Sequence, residues 1–203
     1  TLYGLNWAKS EIVRQNRAIV CEGYTDVIGF HSSGLPIAVA TCGTAFTEEH
    51  VRLLKRYTSR VVLAFDADAA GQGAAERFYE WEQKYDIEVS VARFPGGRDP
   101  GDLALDDPEA LAASIDSATP FLAFRLDRVL QAQPAETPEQ RVRAGERAMA
   151  VVNEHPNVNV RKIYAGQVAT QLGLAVGDLV KIAERGTRRP QMEAPRPSRT
   201  ARH

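Results

Sequence analysis

Short apolar runs, separated by stretches with helical spacing, set the character of the first half of the chain. Ala18-Ile19-Val20-Cys21, Ile37-Ala38-Val39-Ala40 and Val61-Val62-Leu63-Ala64-Phe65 are too brief for ordinary helices and suit strands buried on both faces. Ile87 to Phe94 alternates instead, with Ile87, Val89 and Val91 set against Glu88 and Ser90, which predicts a half-buried strand nearer a sheet edge. Helical patterns lie between these runs. Residues 2–15 carry Leu5, Ala8, Ile12 and Val13 roughly on one face; residues 24–33 place Val27, Ile28 and Phe30 similarly, with Gly34 as a C-cap. A third helix begins at Thr47, with Glu48 and Glu49 in its first turn, and runs to about Tyr57. A fourth, Ala69 to Tyr85, has Ala74, Ala75, Phe78 and Trp81 as its apolar stripe. Strands alternating with helices predict a layered α/β domain with a mostly parallel sheet.

Beyond Gly101 the alternation stops. Residues 108–117, 120–133, 137–153, 158–172 and 176–185 are helical in pattern, with Pro120, Pro138 and Pro156 at starts or between segments, where proline is tolerated. The predicted organisation is therefore an α/β domain at 1–107, with a lead-in helix inside 1–16, and an all-helical subdomain at 108–186. Residues 187–203, rich in Pro, Arg, Thr and Ser, read as a disordered basic linker or tail.

Composition narrows the classes. The 203 residues are 44% hydrophobic and 25% charged, enough for one ordinary globular core with a smaller appended piece. A net charge of -1 excludes a globally basic nucleic-acid binder, so any grip on nucleic acid must come from local patches or through metal ions. No apolar run reaches the 18 residues of a membrane span. The first residues show neither an initiating Met nor a signal-peptide pattern, which predicts a piece of a longer chain. Cys21 and Cys42 each follow an apolar run and read as reduced core thiols; with His at 31, 50, 155 and 203 they give no zinc-site spacing.

The candidate chemistry sits at the ends of the strands. Glu22 closes the first apolar run, Thr41-Cys42-Gly43-Thr44 the second, Asp66 with Asp68 the third, and Asp99 with Asp102 follow the fourth. In a parallel sheet all these loops meet at one edge, the place where such sheets bind ligands. Asp66 and Asp68, two apart on a strand, are spaced roughly 7 Å, suited to two divalent ions about 3.5–4 Å apart, the arrangement used in phosphoryl and nucleotidyl transfer. Asp68 is equally an N-cap for the next helix. Arg52, Lys55, Arg56 and Arg60, at near-helical spacings, form a candidate basic strip for nucleic acid or phosphate, or a solvated helix face.

The ordered set Glu22-Gly23-Tyr24-Thr25-Asp26, Thr41-Cys42-Gly43-Thr44, Asp66-Ala67-Asp68-Ala69-Ala70-Gly71 and Asp99-Pro100 resembles the signature elements of the TOPRIM domain of DnaG-type bacterial DNA primases. Leu2-Tyr3-Gly4-Leu5 is similar to the segment entering that domain, and the helical remainder to the subdomain completing the primase polymerase core. The resemblance implies Glu22, Asp66 and Asp68 as catalytic metal-binding acids, with Asp26 and Asp99 as further acids of the same site. Two departures stand out: Ala67 replaces the family's usual glycine, and Gly101 stands at the family's second acid, so that Asp102 follows one place late. The implied activity is synthesis of short RNA primers from ribonucleoside triphosphates on a single-stranded DNA template, with two or more Mg²⁺ or Mn²⁺ ions. The implied setting is a monomer in the bacterial cytoplasm at the replication fork, meeting the replicative helicase through a missing C-terminal region.

Other classes remain open on the sequence. A haloacid dehalogenase-type phosphatase also places Asp-x-Asp after an apolar strand, although Ala70 stands where it wants Thr or Val and Glu22-Gly23 has no use there. Nucleases, topoisomerases and recombination mediators also carry TOPRIM modules.

Overall fold

The computed structural model describes residues 1–64, 72–132 and 135–185, with no side-chain description for 72–76 or 185. Asp66 and Asp68, and the tail assigned to 187–203, therefore lie outside the described residues. The elements run α1 (Leu5–Gln15), β1 (Ala18–Cys21), α2 (Tyr24–Ser32), β2 (Ala38–Ala40), α3 (Glu48–Lys55), β3 (Arg60–Leu63), α4 (Gln72–Tyr85) and β4 (Glu88–Val91), then α5 (Pro100–Asp106) and α6 (Pro108–Asp116). After them come β5 (Thr119–Pro120), α7 (Phe121–Gln131), α8 (Pro138–Val152), α9 (Val158–Leu172) and α10 (Val176–Arg185).

The five strands form one sheet in the order β2-β1-β3-β4-β5. β2, β1, β3 and β4 pair in parallel, with Val20 opposite both Val39 and Leu63, and Leu63 opposite Val91. β1 and β2 are buried along their whole length, and β3 is buried from Val61 onward, as expected for strands covered on both faces. β4 alternates, with Val89 and Val91 buried and Glu88 exposed, matching its period-two pattern. From β1 the chain goes to β2 on one side and then to β3 on the other. The carboxyl ends of β1 and β3 thus flank the point where the strand order reverses, which is where open α/β sheets leave a crevice for ligands.

Three differences from the sequence reading have physical causes. The lead-in helix starts at Leu5, because Tyr3 is drawn into an antiparallel bridge with Ala40, its amide donating to the Ala40 carbonyl at 2.9 Å. Residues 100–106 form a helix the apolar pattern does not announce: Asp99 caps it and Pro100 occupies its first position, a start signature in a segment only seven residues long. The short β5 pairs antiparallel with β4, Val91 opposite Thr119, so the sheet extends past the α/β segment 1–107.

The helical segment shares the sheet's core. Phe121 lies 4.9 Å from Phe78 and 5.6 Å from Tyr79, centroid to centroid, and all three are buried. Arg125 on α7 donates to the Tyr79 hydroxyl at 3.2 Å and pairs with Glu154 just past α8, tying three elements together. Each large side chain fully buried in such a core contributes about 1.5–3 kcal/mol. The proposed boundary at 107/108 accordingly divides two sequence patterns joined by one continuous core.

Candidate active site at the carboxyl edge of the sheet

Glu22 follows directly on β1 and is exposed at the switch point. Its backbone is held on one side by Cys42, whose amide donates to the Glu22 carbonyl at 2.9 Å. On the other side the Ala64 amide donates to the Val20 carbonyl at 2.8 Å, which carries β3 alongside β1 as far as the last described residue before Asp66. Beside Cys42, Thr44 closes the turn after β2 by donating its hydroxyl to the Thr41 carbonyl at 2.9 Å.

Asp26 and Asp99 are brought together by helix packing. Asp26 sits in the first turn of α2, 7% exposed, and one of its oxygens accepts the Gly23 amide at 2.9 Å. Burial pushes its carboxyl up, an effect opposed by the Gly23 amide and reinforced by nearby Asp99. Asp99 accepts the Gly101 amide at 2.7 Å as it caps α5. A Cβ placed at Gly101 would stand 2.9 Å from an Asp99 oxygen and 3.6 Å from an Asp26 oxygen, so the two carboxylates converge over this residue. The close approach depends on Gly29 of α2, where a Cβ would meet the Ala104 Cβ of α5 at 2.8 Å.

Glu22, Asp26 and Asp99 line one cavity of about 610 Å³, together with Ala64, Ala92, Phe94, Arg93, Arg98, Phe124 and Arg128. Among the described residues the lining carries carboxylates and no imidazole or thiol. Cys21, just beneath, is buried, and burial first and Asp26 second push its thiol up, so it offers no thiolate. Hard oxygen donors of this kind fit divalent cations such as Mg²⁺ or Mn²⁺. Among the described residues no cluster of three His, Cys, Asp or Glu side chains is close enough to hold an ion on its own.

Other candidates fall elsewhere. Asp102 is exposed on α5 and does not line the cavity: the shift past Gly101 turns it outward. The basic strip divides, because the last turn of α3 and the first residue of β3 lie at the sheet's amino end. Lys55 donates to the Asp86 carbonyl at 2.6 Å and Arg60 pairs with Glu88 at 3.3 Å, while Arg52 and Arg56 are exposed; none of the four lines the cavity. Cys42 is exposed, not a core thiol, because the turn after β2 swings it out at φ 50°. Both cysteines are free. The cations that do line the cavity, Arg93, Arg98 and Arg128, follow β4 or lie on α7; the carboxyl-end rule applied to basic residues would have found the first two.

A reversed-order parallel sheet with acids at its carboxyl ends accompanies a match of the Toprim-like family model to residues 19–104. A second family model, the DnaB-helicase binding domain of primase, matches residues 122–177. The chain is 40% identical over 179 residues to the DNA primase of Streptomyces coelicolor, covering 85% of itself and 28% of that protein. To the Escherichia coli DNA primase it is 32% identical over 198 residues, covering 93% of itself and 34% of that protein. The crystal structure of the RNA polymerase domain of Mycobacterium tuberculosis primase DnaG with double-stranded DNA superposes with a TM-score of 0.75 at 35% identity, over 86% of this chain and 57% of that one. A DnaG primase catalytic domain bound to single-stranded DNA gives 0.64 at 30% identity, over 88% and 58%. The chain is similar to bacterial DNA primases and spans about a third or less of those curated relatives.

Proposed function

We propose that this chain supplies the metal-binding half of a primase polymerase core that makes short RNA primers on single-stranded DNA during replication. The observation that carries the reading is the convergence of Glu22, Asp26 and Asp99 on one cavity at the switch point, where the strand leading to Asp66 and Asp68 also ends. Glu22, Asp66 and Asp68, with Asp99, would hold the Mg²⁺ or Mn²⁺ ions. Such ions, when bound, lower the pKa of the attacking 3′ hydroxyl and neutralise charge on the transferring phosphate and the leaving pyrophosphate.

The chain's own groups prepare that site. The cap bonds from Gly23 and Gly101 orient Asp26 and Asp99 before any ligand arrives, so little reorganisation is left for the reaction. Asp26, buried and already bonded to Gly23, acts as a positioning residue for the Glu22 loop. The match at 122–177 supports a second role for the helical part, contact with a replicative helicase. Exposed Ile163 and Val176, beside a shallow hollow between α9 and α10, are apolar surface suited to such a contact.

Template-dependent ribonucleotide incorporation by the full-length protein tests both parts. Glu22→Gln and Asp66→Asn are expected to reduce incorporation by about 100-fold or more while leaving the melting temperature unchanged or higher, since like charges are relieved. Normal incorporation by either variant contradicts the site assignment. A DnaB-type helicase added to the same assay should stimulate synthesis, and Ile163→Asp should remove the stimulation but not basal synthesis; stimulation that survives this change returns the surface to ordinary solvent exposure.

A further inference from the structure

The ring contacts of the core run unbroken from the helical segment to the acid edge. At the far end Arg125 on α7 donates to both oxygens of Glu154 and, at 3.2 Å, to the Tyr79 hydroxyl; the two charged side chains are only 19% and 10% exposed. The Tyr79 ring lies 5.0 Å from His155 and 5.6 Å from Phe121, and Phe121 lies 4.9 Å from Phe78. Phe78 stacks on Phe46, with centroids 6.2 Å apart and planes within 17°, and Trp81 meets both edge-on at 5.3 Å and 6.1 Å. Phe46 belongs to the loop after β2, whose Cys42 amide donates to the Glu22 carbonyl at 2.9 Å.

We infer that this stack couples the helical segment to Glu22. Phe46 is the positioning residue at the acid end and the Arg125–Glu154 pair fixes the other end, so a change in how the helical segment sits alters the hold on the Glu22 loop and its affinity for a divalent cation. The inference deepens the polymerase reading, and its cation arm rests on that reading.

A buried ion pair is a poor device for stability, because packed apolar side chains of like volume do as well or better. What the pair supplies here is fixed geometry. The planar guanidinium holds Glu154, Tyr79 and α7 in one arrangement and so keeps the Tyr79 ring against Phe121. Beyond that point the contacts are between rigid rings at native packing density, with no flexible side chain between them to absorb a displacement. Phe46 is where core gives way to loop. Residues 42–45 are exposed, whereas Phe46 is half-buried and nearly parallel to both Phe78 and His50, so its ring is the loop's anchor in the core. The helicase-binding family match at 122–177 takes in Arg125, Glu154 and His155. A partner that engages this part of the chain therefore acts on the fixed end of the stack, and linkage requires that metal at the acids alter the partner's affinity in return.

The test uses the full-length protein. Hydrogen-deuterium exchange of the metal-free protein, read by mass spectrometry, follows the amides of 41–46 with no cation present. Glu154→Gln and Phe121→Leu should speed that exchange by about tenfold, although both changes lie far from the loop in sequence. Phe46→Leu should do the same, and Phe46→Tyr, which keeps the ring, should match the wild type. Ile115→Ala, buried at the amino end of the sheet, lowers the melting temperature from a position off the stack and should leave 41–46 unchanged. Where Glu154→Gln does not fold, Phe121→Leu carries the same reading. Manganese titration followed by electron paramagnetic resonance then reads the cation arm: Glu154→Gln and Phe46→Leu should each weaken binding by about threefold to tenfold, and the double variant no more than the stronger single one. Unchanged exchange at 41–46 in Glu154→Gln and Phe121→Leu overturns the inference, as does equal acceleration by Ile115→Ala or manganese losses that multiply in the double variant. A wild type that binds no manganese would instead fail the metal reading, while the exchange experiment still decides the coupling.

Discussion

The two ends of this one sheet handle charge in opposite ways. At the amino end cations and acids neutralise one another across the surface: Arg17 with Asp116 at 2.9 Å, Arg60 with Glu88 at 3.3 Å, Lys55 with Asp86 at 3.9 Å. Such exposed pairs are worth about 0–1 kcal/mol each and build no site. At the carboxyl end Glu22, Asp26 and Asp99 are gathered on one cavity, and Asp26 takes backbone amides. What distinguishes the carboxyl edge here is that Glu22, Asp26 and Asp99 gather on one cavity, with Asp26 buried and held by a backbone amide, not the number of charges.

The contrast is broken most forcefully through the packing that creates it. Gly29→Ala puts a Cβ 2.8 Å from Ala104, so α2 and α5 must part and Asp26 must draw away from Asp99. The expected cost is about 1–3 kcal/mol of stability by denaturant titration, with ribonucleotide incorporation falling alongside. Full activity at lowered stability would show that the meeting of Asp26 and Asp99 is incidental to the site.

A smaller effect sharpens the comparison from the amino end. Glu82 of α4 accepts a hydrogen bond from the Val89 amide at 3.0 Å, and burial pushes its pKa from 4.5 up to about 7. The folded protein therefore keeps a proton that the unfolded chain has released. Stability is fully present below pH 4.5 and declines as the pH rises through about 7, levelling above it. Partial exposure reduces the expected drop to about 1–2 kcal/mol. Glu82→Gln, which keeps an acceptor for Val89, should flatten that part of the stability-pH curve, and an unchanged slope would assign the titration to another group.

Most of the sheet was legible because strands buried on both faces must be apolar throughout, as Ala18-Ile19-Val20-Cys21 is. The acids at Glu22 and Asp99 were legible because parallel strands send their following loops to one edge. Strand direction was the signal not carried through for the bases. Helical spacing joins Arg52, Lys55, Arg56 and Arg60, yet the end of α3 and the start of β3 lie at the far end of the sheet. The helix at Pro100–Asp106 escaped because its evident role as an acidic motif masked the capping role of Asp99, and one residue performs both. Arg128 could be found only once α7 was seen to border the acids, a contact between segments more than 25 residues apart in the chain.

On the proposed reading the carboxyl edge binds divalent cations through Glu22 and its neighbours and the amino edge does not. Manganese titration followed by electron paramagnetic resonance, on the wild type, Glu22→Gln and Arg60→Ala, tests it most directly. Glu22→Gln should weaken manganese binding by about tenfold or more, and Arg60→Ala should leave it as in the wild type. Equal binding by Glu22→Gln and the wild type would contradict the account.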